Sequence, residues 1–179
     1  SDQIAVLAEG RVEQVGPPQE IYSAPATTYV AGFLGAANIF DADVLECADG
    51  SAVCSALSTR LGAAVDTSCK PGPAAIVIRP ERITLSDRDQ PVPAGSNAVN
   101  GTVAQVVYHG ASTQVHVEVG ESTALIVDVP NQYGPQSVGY ESGMAVTCVC
   151  SRDAVRVLTR STAVLTTDPA AELEALSVS

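Results

Sequence analysis

The stretch STQVHVEVGESTALIVDVP, Ser112–Pro130, decides the fold. In its first half Val115, Val117 and Val119 alternate with Gln114, His116 and Glu118, the period-two pattern of a strand that buries one face. Gly120-Glu121-Ser122 supplies a turn, after which Leu125, Val127 and Val129 alternate again. Pro130 has no N–H to give a ladder and ends the second strand. The segment reads as a β-hairpin. Upstream, Val103, Val106 and Val107 run into Tyr108-His109-Gly110, a break that reverses the chain into Ser112 and adds a third strand. A three-stranded meander is therefore the centre of the molecule.

Further out, short apolar runs separated by Gly, Pro, Asn and Asp predict strands at 39–47, 51–55, 63–65, 74–78, 100–109, 112–119, 123–129, 145–150 and 155–158. Helix signals are few in this region, and the pattern is that of a small antiparallel barrel or sandwich. Ser86–Asn97, rich in Pro, Asp and Ser, reads as an exposed loop between two halves of the barrel.

The first 35 residues have a different texture. Ile4 and Val6 face Val12 and Val15 across Glu9-Gly10, a hairpin signal. Pro18 suits the first turn of a short helix through Tyr22, Pro25 interrupts it, and Thr27–Leu34 carries a second helix with Val30, Phe33 and Leu34 on its apolar face. So small a unit lies below the roughly 40 residues at which unassisted folding becomes plausible, and it needs a partner surface. The expected division is residues 1–35 as the closing piece of another domain, 36–160 as the β domain, and 161–179 as a tail. In that tail Asp168-Pro169 and Glu172 could start a short helix.

Composition narrows the function. Of 179 residues 46% are hydrophobic but only 4% aromatic, so valine and alanine must fill the interior in thin β layers. Twenty acids against nine bases give a net charge of −11, which argues against nucleic acid as a partner. No apolar run approaches the ~20 residues of a membrane-spanning helix, so direct membrane insertion is not expected. The five cysteines, Cys47, Cys54, Cys69, Cys148 and Cys150, are odd in number and irregularly spaced, which predicts no disulfide framework and fits a reducing compartment. Cys148 and Cys150 would share one strand face as small buried residues. His109 and His116 stand in no ligand-like spacing and offer no base for a nucleophile. No catalytic, cofactor-binding or metal-ligating set emerges.

The residues Ile4, Ala5, Val6, Gly10, Arg11, Gln14, Gly16, Pro18, Glu20, Ile21, Tyr22, Pro25, Val30, Ala31, Phe33, Gly35 and Asn38 stand at spacings that resemble a known segment. It closes the nucleotide-binding domain of importer ATPases of the ATP-binding cassette superfamily, of the maltose, sugar-phosphate and spermidine-putrescine type. Downstream, Ile76 to Leu85 resembles a G.RPE.I.L strand, and Gly101, Val103, Val106, Tyr108, Gly110, Thr113, Val115 and Val117 resemble a G.V..V.Y.G..T.V.V strand pair. Gly143, Val146, Val157 and Leu158 follow a final motif in which Cys150 replaces a tryptophan. These are similar to the transport-associated oligomer-binding module, an OB-like antiparallel barrel that follows the same ATPase domain.

The resemblance implies a mainly β regulatory and dimerisation module of an importer's ATP-binding subunit, with polyamine slightly favoured over sugar as the solute. It implies as partners a second copy of the subunit and, through the ATPase domain, the transmembrane permease, at the cytoplasmic face of the plasma membrane. The phosphate loop, signature and switch histidine of the family are not in this sequence, and Lys70 is its one lysine. Catalysis is therefore not expected of these residues, and ATP and Mg belong to the intact parent. Arg79, Pro80, Glu81, Tyr108 and Gly110 are the candidate interface or regulatory residues. Ser112 and Thr113 are candidate ligand residues for the alternative, a small-ligand or oxyanion-sensing module, against which the acidic charge argues.

Overall fold

A computed structural model describes residues 2–48, 50–65, 69–88, 90–120, 123–131 and 139–158. The expected helix near Asp168 lies outside them. The described residues divide into two compact units, one ending at Gly35 and the other beginning at Ala36.

In the first, β1 (Ile4–Ala8) and β2 (Arg11–Gly16) pair antiparallel around Glu9 and Gly10. Both turn residues have positive φ, 48° and 75°, as a tight two-residue hairpin turn requires. Pro18 opens α1 (Pro18–Ser23), and α2 (Thr28–Phe33) is capped by the Thr27 hydroxyl, which accepts from the Val30 N–H. Val6, Ile21 and Val30 form a small core flanked by Ile4, Tyr29 and Leu34. Gln14 fixes the helices to the hairpin with both ends of its amide: Nε2 donates to the Ala24 carbonyl at 3.0 Å and Oε1 accepts from the Ala26 N–H at 2.8 Å. Leu7, Val12, Val15 and Phe33 are exposed, so Phe33 leaves the apolar face that the helix periodicity assigned to it.

The second unit contains β3 (Asn38–Ala48), β4 (Ser51–Ala56), β5 (Thr59–Ala64), β6 (Gly72–Ile78), β7 (Thr84–Asp87), β8 (Ser96–Tyr108), β9 (Ser112–Val119), β10 (Thr123–Pro130), β11 (Ala145–Ser151) and β12 (Val155–Leu158). These make a closed barrel in the order β12-β5-β4-β3-β6 and a second sheet in the order β10-β9-β8-β11-β7. The expected barrel is present, antiparallel in its pairings except between β12 and β5, which run parallel. The predicted meander is the β8-β9-β10 part of the second sheet, in which Val115, Val117, Leu125 and Val127 are buried.

The two sheets are built alike. Each comes from a long bulged strand, then three more strands, a 3-10 turn (Pro80–Arg82 or Arg152–Ala154) and a short final strand. The bulges fall at corresponding places, between Val44 and Glu46 in β3 and between Val103 and Gln105 in β8. The final strands are exchanged: β7 pairs with β11 of the other half, and β12 pairs with β6, as in Leu85–Cys148 and Val157–Ile76. Pro80 explains the first crossing. Lacking an N–H, it cannot continue the β6 ladder, and it begins a turn that redirects the chain to β11. A single core cluster spans both sheets, including Leu61, Ile76, Val103, Leu125, Val146 and Val155. Each such fully buried side chain stabilises by about 1.5–3 kcal/mol.

Two expectations are corrected. The loop foreseen over 86–97 is shorter, because Ser86 and Asp87 complete β7 while Ser96 and a buried Asn97 begin β8. Cys47 and Cys69 form a disulfide, with Cα atoms 5.9 Å apart. Spacing alone could not reveal it. Three residues beyond the last β3–β6 pair, Val44–Gly72, the same antiparallel register sets Cys47 opposite Cys69.

Candidate functional site

The seam between the halves is held by two asparagine side chains that act as strand backbone. Asn38, at the start of β3, donates from Nδ2 to the Ile126 carbonyl at 2.8 Å and accepts at Oδ1 from the Ile126 N–H at 2.7 Å. Asn97, near the start of β8, does the same to Gly62, with 2.9 Å to its carbonyl and 2.7 Å from its N–H. Both asparagines are buried, and each half lends one to the other. A carboxamide suits this role because it carries a donor and an acceptor side by side, as a peptide does. Gly62 has no side chain, and the stem of Arg152 lies where its Cβ would stand.

Of the candidate interface residues, Arg79 and Pro80 are buried and Glu81 is exposed. Arg79 Nη1 donates to the Ala36 carbonyl at 3.3 Å, so this guanidinium serves the entry to β3. Next in the turn, Arg82 pairs with Asp153 of the other 3-10 turn at 2.7 Å. The Ser151 hydroxyl, more than Arg82, holds the Asp153 carboxyl below its ordinary range.

Tyr108, Gly110, Ser112 and Thr113 lie together at the β8–β9 hairpin tip. Gly110, at φ 75°, allows the reversal. Asn131 binds the tip from the end of β10: its Nδ2 donates to the Gly110 carbonyl, its backbone N–H to that of Ala111, and its Oδ1 accepts from the buried Thr113 hydroxyl at 2.7 Å. Tyr108 is half-exposed, and Val106, two residues earlier on the same strand face, is also exposed. The structure thus brings Tyr108, Gly110, Ser112 and Thr113 to one tip, and places Arg79, Pro80 and Glu81 in a separate turn.

The reading from sequence missed Asn97, Asn131 and the Arg82–Asp153 pair. A signal for the first was present, since Asn38 and Asn97 each open the long strand of a half, but the repeat is not visible as residue identity. Cys148 and Cys150 are both buried in β11, between β7 and β8, and burial pushes the Cys148 thiol up to about 12. Burial likewise raises the Cys54 and Cys150 thiols. Among the described residues no group of three or more His, Cys, Asp or Glu is placed to hold a metal. No helix among them is long and apolar enough to cross a membrane. The chemistry on display is that of packing, backbone pairing and surface contact.

Residues 76–158 match the TOBE domain. Over 130 residues the chain is 35% identical to the Fe(3+) ions import ATP-binding protein FbpC of Brucella abortus (strain 2308), covering 72% of this chain and 34% of that protein. It is 32% identical over 160 residues to the spermidine/putrescine import ATP-binding protein PotA of Mesorhizobium japonicum, covering 88% of this chain and 42% of the relative. To PotA of Pseudomonas aeruginosa (strain UCBPP-PA14) it is 37% identical over 159 residues, 86% of this chain and 43% of the relative. The chain therefore spans well under half the length of these relatives. Among solved structures, the cytoplasmic molybdate-binding protein ModG with molybdate bound superposes with a TM-score of 0.57 at 17% identity, covering 68% of this chain and 95% of that one. At that identity the likeness is one of fold.

Proposed function

Residues 76–158 are a TOBE domain in a chain related to importer ATP-binding proteins, and on that premise we propose that it is the regulatory and subunit-pairing part of such an ATP-binding subunit. The carrying observation is that the relatedness runs through most of the chain, 86–88% of it for the two polyamine relatives, so both units share it. Exposed Leu7, Val12, Val15 and Phe33 fit a first unit that lies against further parts of a parent ATPase. In the second unit the Val106–Tyr108 face is the surface offered to a second copy. Glu81 adds a charged contact, and Gly110 shapes the tip. The parent works with permease subunits at the inner face of the plasma membrane, and ATP and Mg act in its ATPase domain.

Polyamine is the preferred solute. The polyamine relatives support this by matching more of the chain than the iron relatives, 86–88% against 72–76%. For the oxyanion alternative, Thr113 has its hydroxyl engaged by Asn131, which leaves Ser112 and backbone amides as donors.

Sedimentation equilibrium of the full chain tests the pairing. A dimer that Tyr108→Asp converts to monomer is expected, and a wild-type monomer at every concentration overturns it. Uptake of labelled spermidine and of ferric iron, with and without the gene, tests the solute; loss of iron uptake alone rejects the polyamine assignment. A saturable rise in melting temperature with molybdate would move the assignment to the oxyanion sensor.

A further inference from the structure

We propose that Cys47 and Cys69 are a reversible redox couple, a modification site that exchanges with a low-molecular-weight disulfide such as glutathione disulfide. Three observations carry this. The pair lies three residues beyond the last pair of the β3–β6 ladder, Val44–Gly72, with a Cα separation inside the ordinary disulfide range, so the paired part of the strands already brings the two cysteines within reach. Both cysteines are partly exposed, whereas Cys54, Cys148 and Cys150 are buried, so a soluble disulfide can reach this pair and no other thiol.

The third observation is the comparison between halves. Carried on in the same way, the β8–β11 register sets Val106 opposite Glu141, which cannot form such a bond. That end is secured by hydrogen bonds, among them Val103 N–H to the Met144 carbonyl and Ser142 hydroxyl to the Ala104 carbonyl. The fold therefore closes this end of a half without a covalent bond. In the half that has one, the ladder from Asn38–Ile78 to Val44–Gly72 is complete before the cysteines are reached. The bond is an addition to the barrel, and the barrel can exist in both states.

The exchange balances in two steps. The thiolate of one cysteine attacks glutathione disulfide, forming a protein–glutathione bond, breaking the S–S bond of the reagent and releasing one glutathione thiolate. The thiolate of the second cysteine then attacks the protein sulfur of the mixed disulfide, forming Cys47–Cys69 and releasing the second glutathione. Two protein thiols lose two electrons and two protons, and one glutathione disulfide becomes two thiols. Excess glutathione reverses both steps. Oxidation ties the end of β3 to the approach to β6, at residues 69–71, around the hairpin of β4 and β5.

The test equilibrates the full chain in glutathione buffers of graded ratio and reads intact mass, maleimide labelling and melting temperature. Oxidation should remove the mass of two hydrogens and abolish native-state labelling. Denatured protein should then label at Cys54, Cys148 and Cys150 only, and excess glutathione should restore labelling at Cys47 and Cys69. The reduced form should melt lower by roughly 10 °C, the scale for opening a closed loop of this length in a domain of this size. Cys47→Ser and Cys69→Ser should each melt like the reduced form and, having no second thiol to resolve it, gain a single glutathione adduct in place of the two-hydrogen loss. In the wild type, a stable glutathione adduct, a disulfide-linked dimer, a bond that excess glutathione leaves intact, or equal melting of both forms would each overturn the proposal.

Discussion

Asn38 and Asn97 hold corresponding places in the two halves of the β domain and grip each other's half: Asn38 binds both backbone groups of Ile126, Asn97 both backbone groups of Gly62. Each is a strand-like contact made by a side chain, at a point where two strand systems meet without a continuous ladder. Replacing either with alanine leaves a partly buried N–H and C=O without their partner. The expected cost is about 2–4 kcal/mol per site, from two unmet groups at ~1–3 kcal/mol each with some recovered by water. Asn97→Asp should not rescue, because a carboxylate accepts from the Gly62 N–H but opposes its carbonyl. Urea unfolding of the variants measures this, and a loss below 1 kcal/mol for both would show that the seam is held elsewhere.

Glycines at two positions should respond unequally to alanine. A Cβ at Gly101 would stand 2.5 Å from both the Glu118 carbonyl oxygen and Val117 Cγ1, a strand backbone and a core side chain that cannot both withdraw. At Gly62 the nearest atoms, 2.8–3.0 Å away, belong to the stem of Arg152, whose side chain can swing outward. Gly101→Ala should therefore cost about 1–3 kcal/mol, the usual scale of overpacking, and Gly62→Ala clearly less. Chemical denaturation of the two variants side by side checks the order. The reverse order would mean that Arg152 is more firmly held than its exposure suggests.

Much of this architecture was legible because β-strands buried on one face write themselves into the sequence with period two. The run Thr113–Val119 shows it plainly, and its strand was read with the observed bounds of Ser112–Val119. The strand Thr84–Asp87 was missed, since four residues with one buried leucine carry almost no periodicity. The exchange of β7 and β12 between the sheets was also invisible, because pairing between distant strands is decided by turns such as Pro80–Arg82. In the candidate interface, Tyr108 and Gly110 could be found as a break in a valine-rich run. Asn131 could not, for its role depends on the fold bringing the end of β10 beside the β8–β9 tip.

The Arg82–Asp153 pair joins the two 3-10 turns but is exposed on both sides, 49% and 71%, so solvent screens it. A double-mutant cycle on Arg82→Ala and Asp153→Ala should give a coupling below about 1 kcal/mol that shrinks in high salt. The pH dependence has a fixed sign. The Asp153 carboxyl lies below its ordinary range when folded, chiefly through the Ser151 hydroxyl, so its contribution is present above the ordinary carboxylate value of 3.8 and is lost as pH falls through the folded value. Wild type and Asp153→Asn should therefore converge in melting temperature under acid. A gap that widens as the pH falls would reverse the assignment.

Cys148 should govern part of the alkaline limit of stability. Desolvation, with the neighbouring Cys150 adding to it, pushes this thiol from 9.0 up to about 12. The folded state holds it neutral where the unfolded chain would ionise it. Its contribution is therefore complete below pH 9 and declines progressively as pH rises from about 9 to about 12. Cys148→Ala opens a cavity and should be less stable at neutral pH, yet the gap from wild type should narrow through that window. The same burial predicts that iodoacetamide at pH 8 modifies Cys148 only through opening of the β domain, at a rate that rises with urea in step with global unfolding. Fast modification in native buffer, together with parallel stability curves at high pH, would place this thiol in contact with water and remove both expectations.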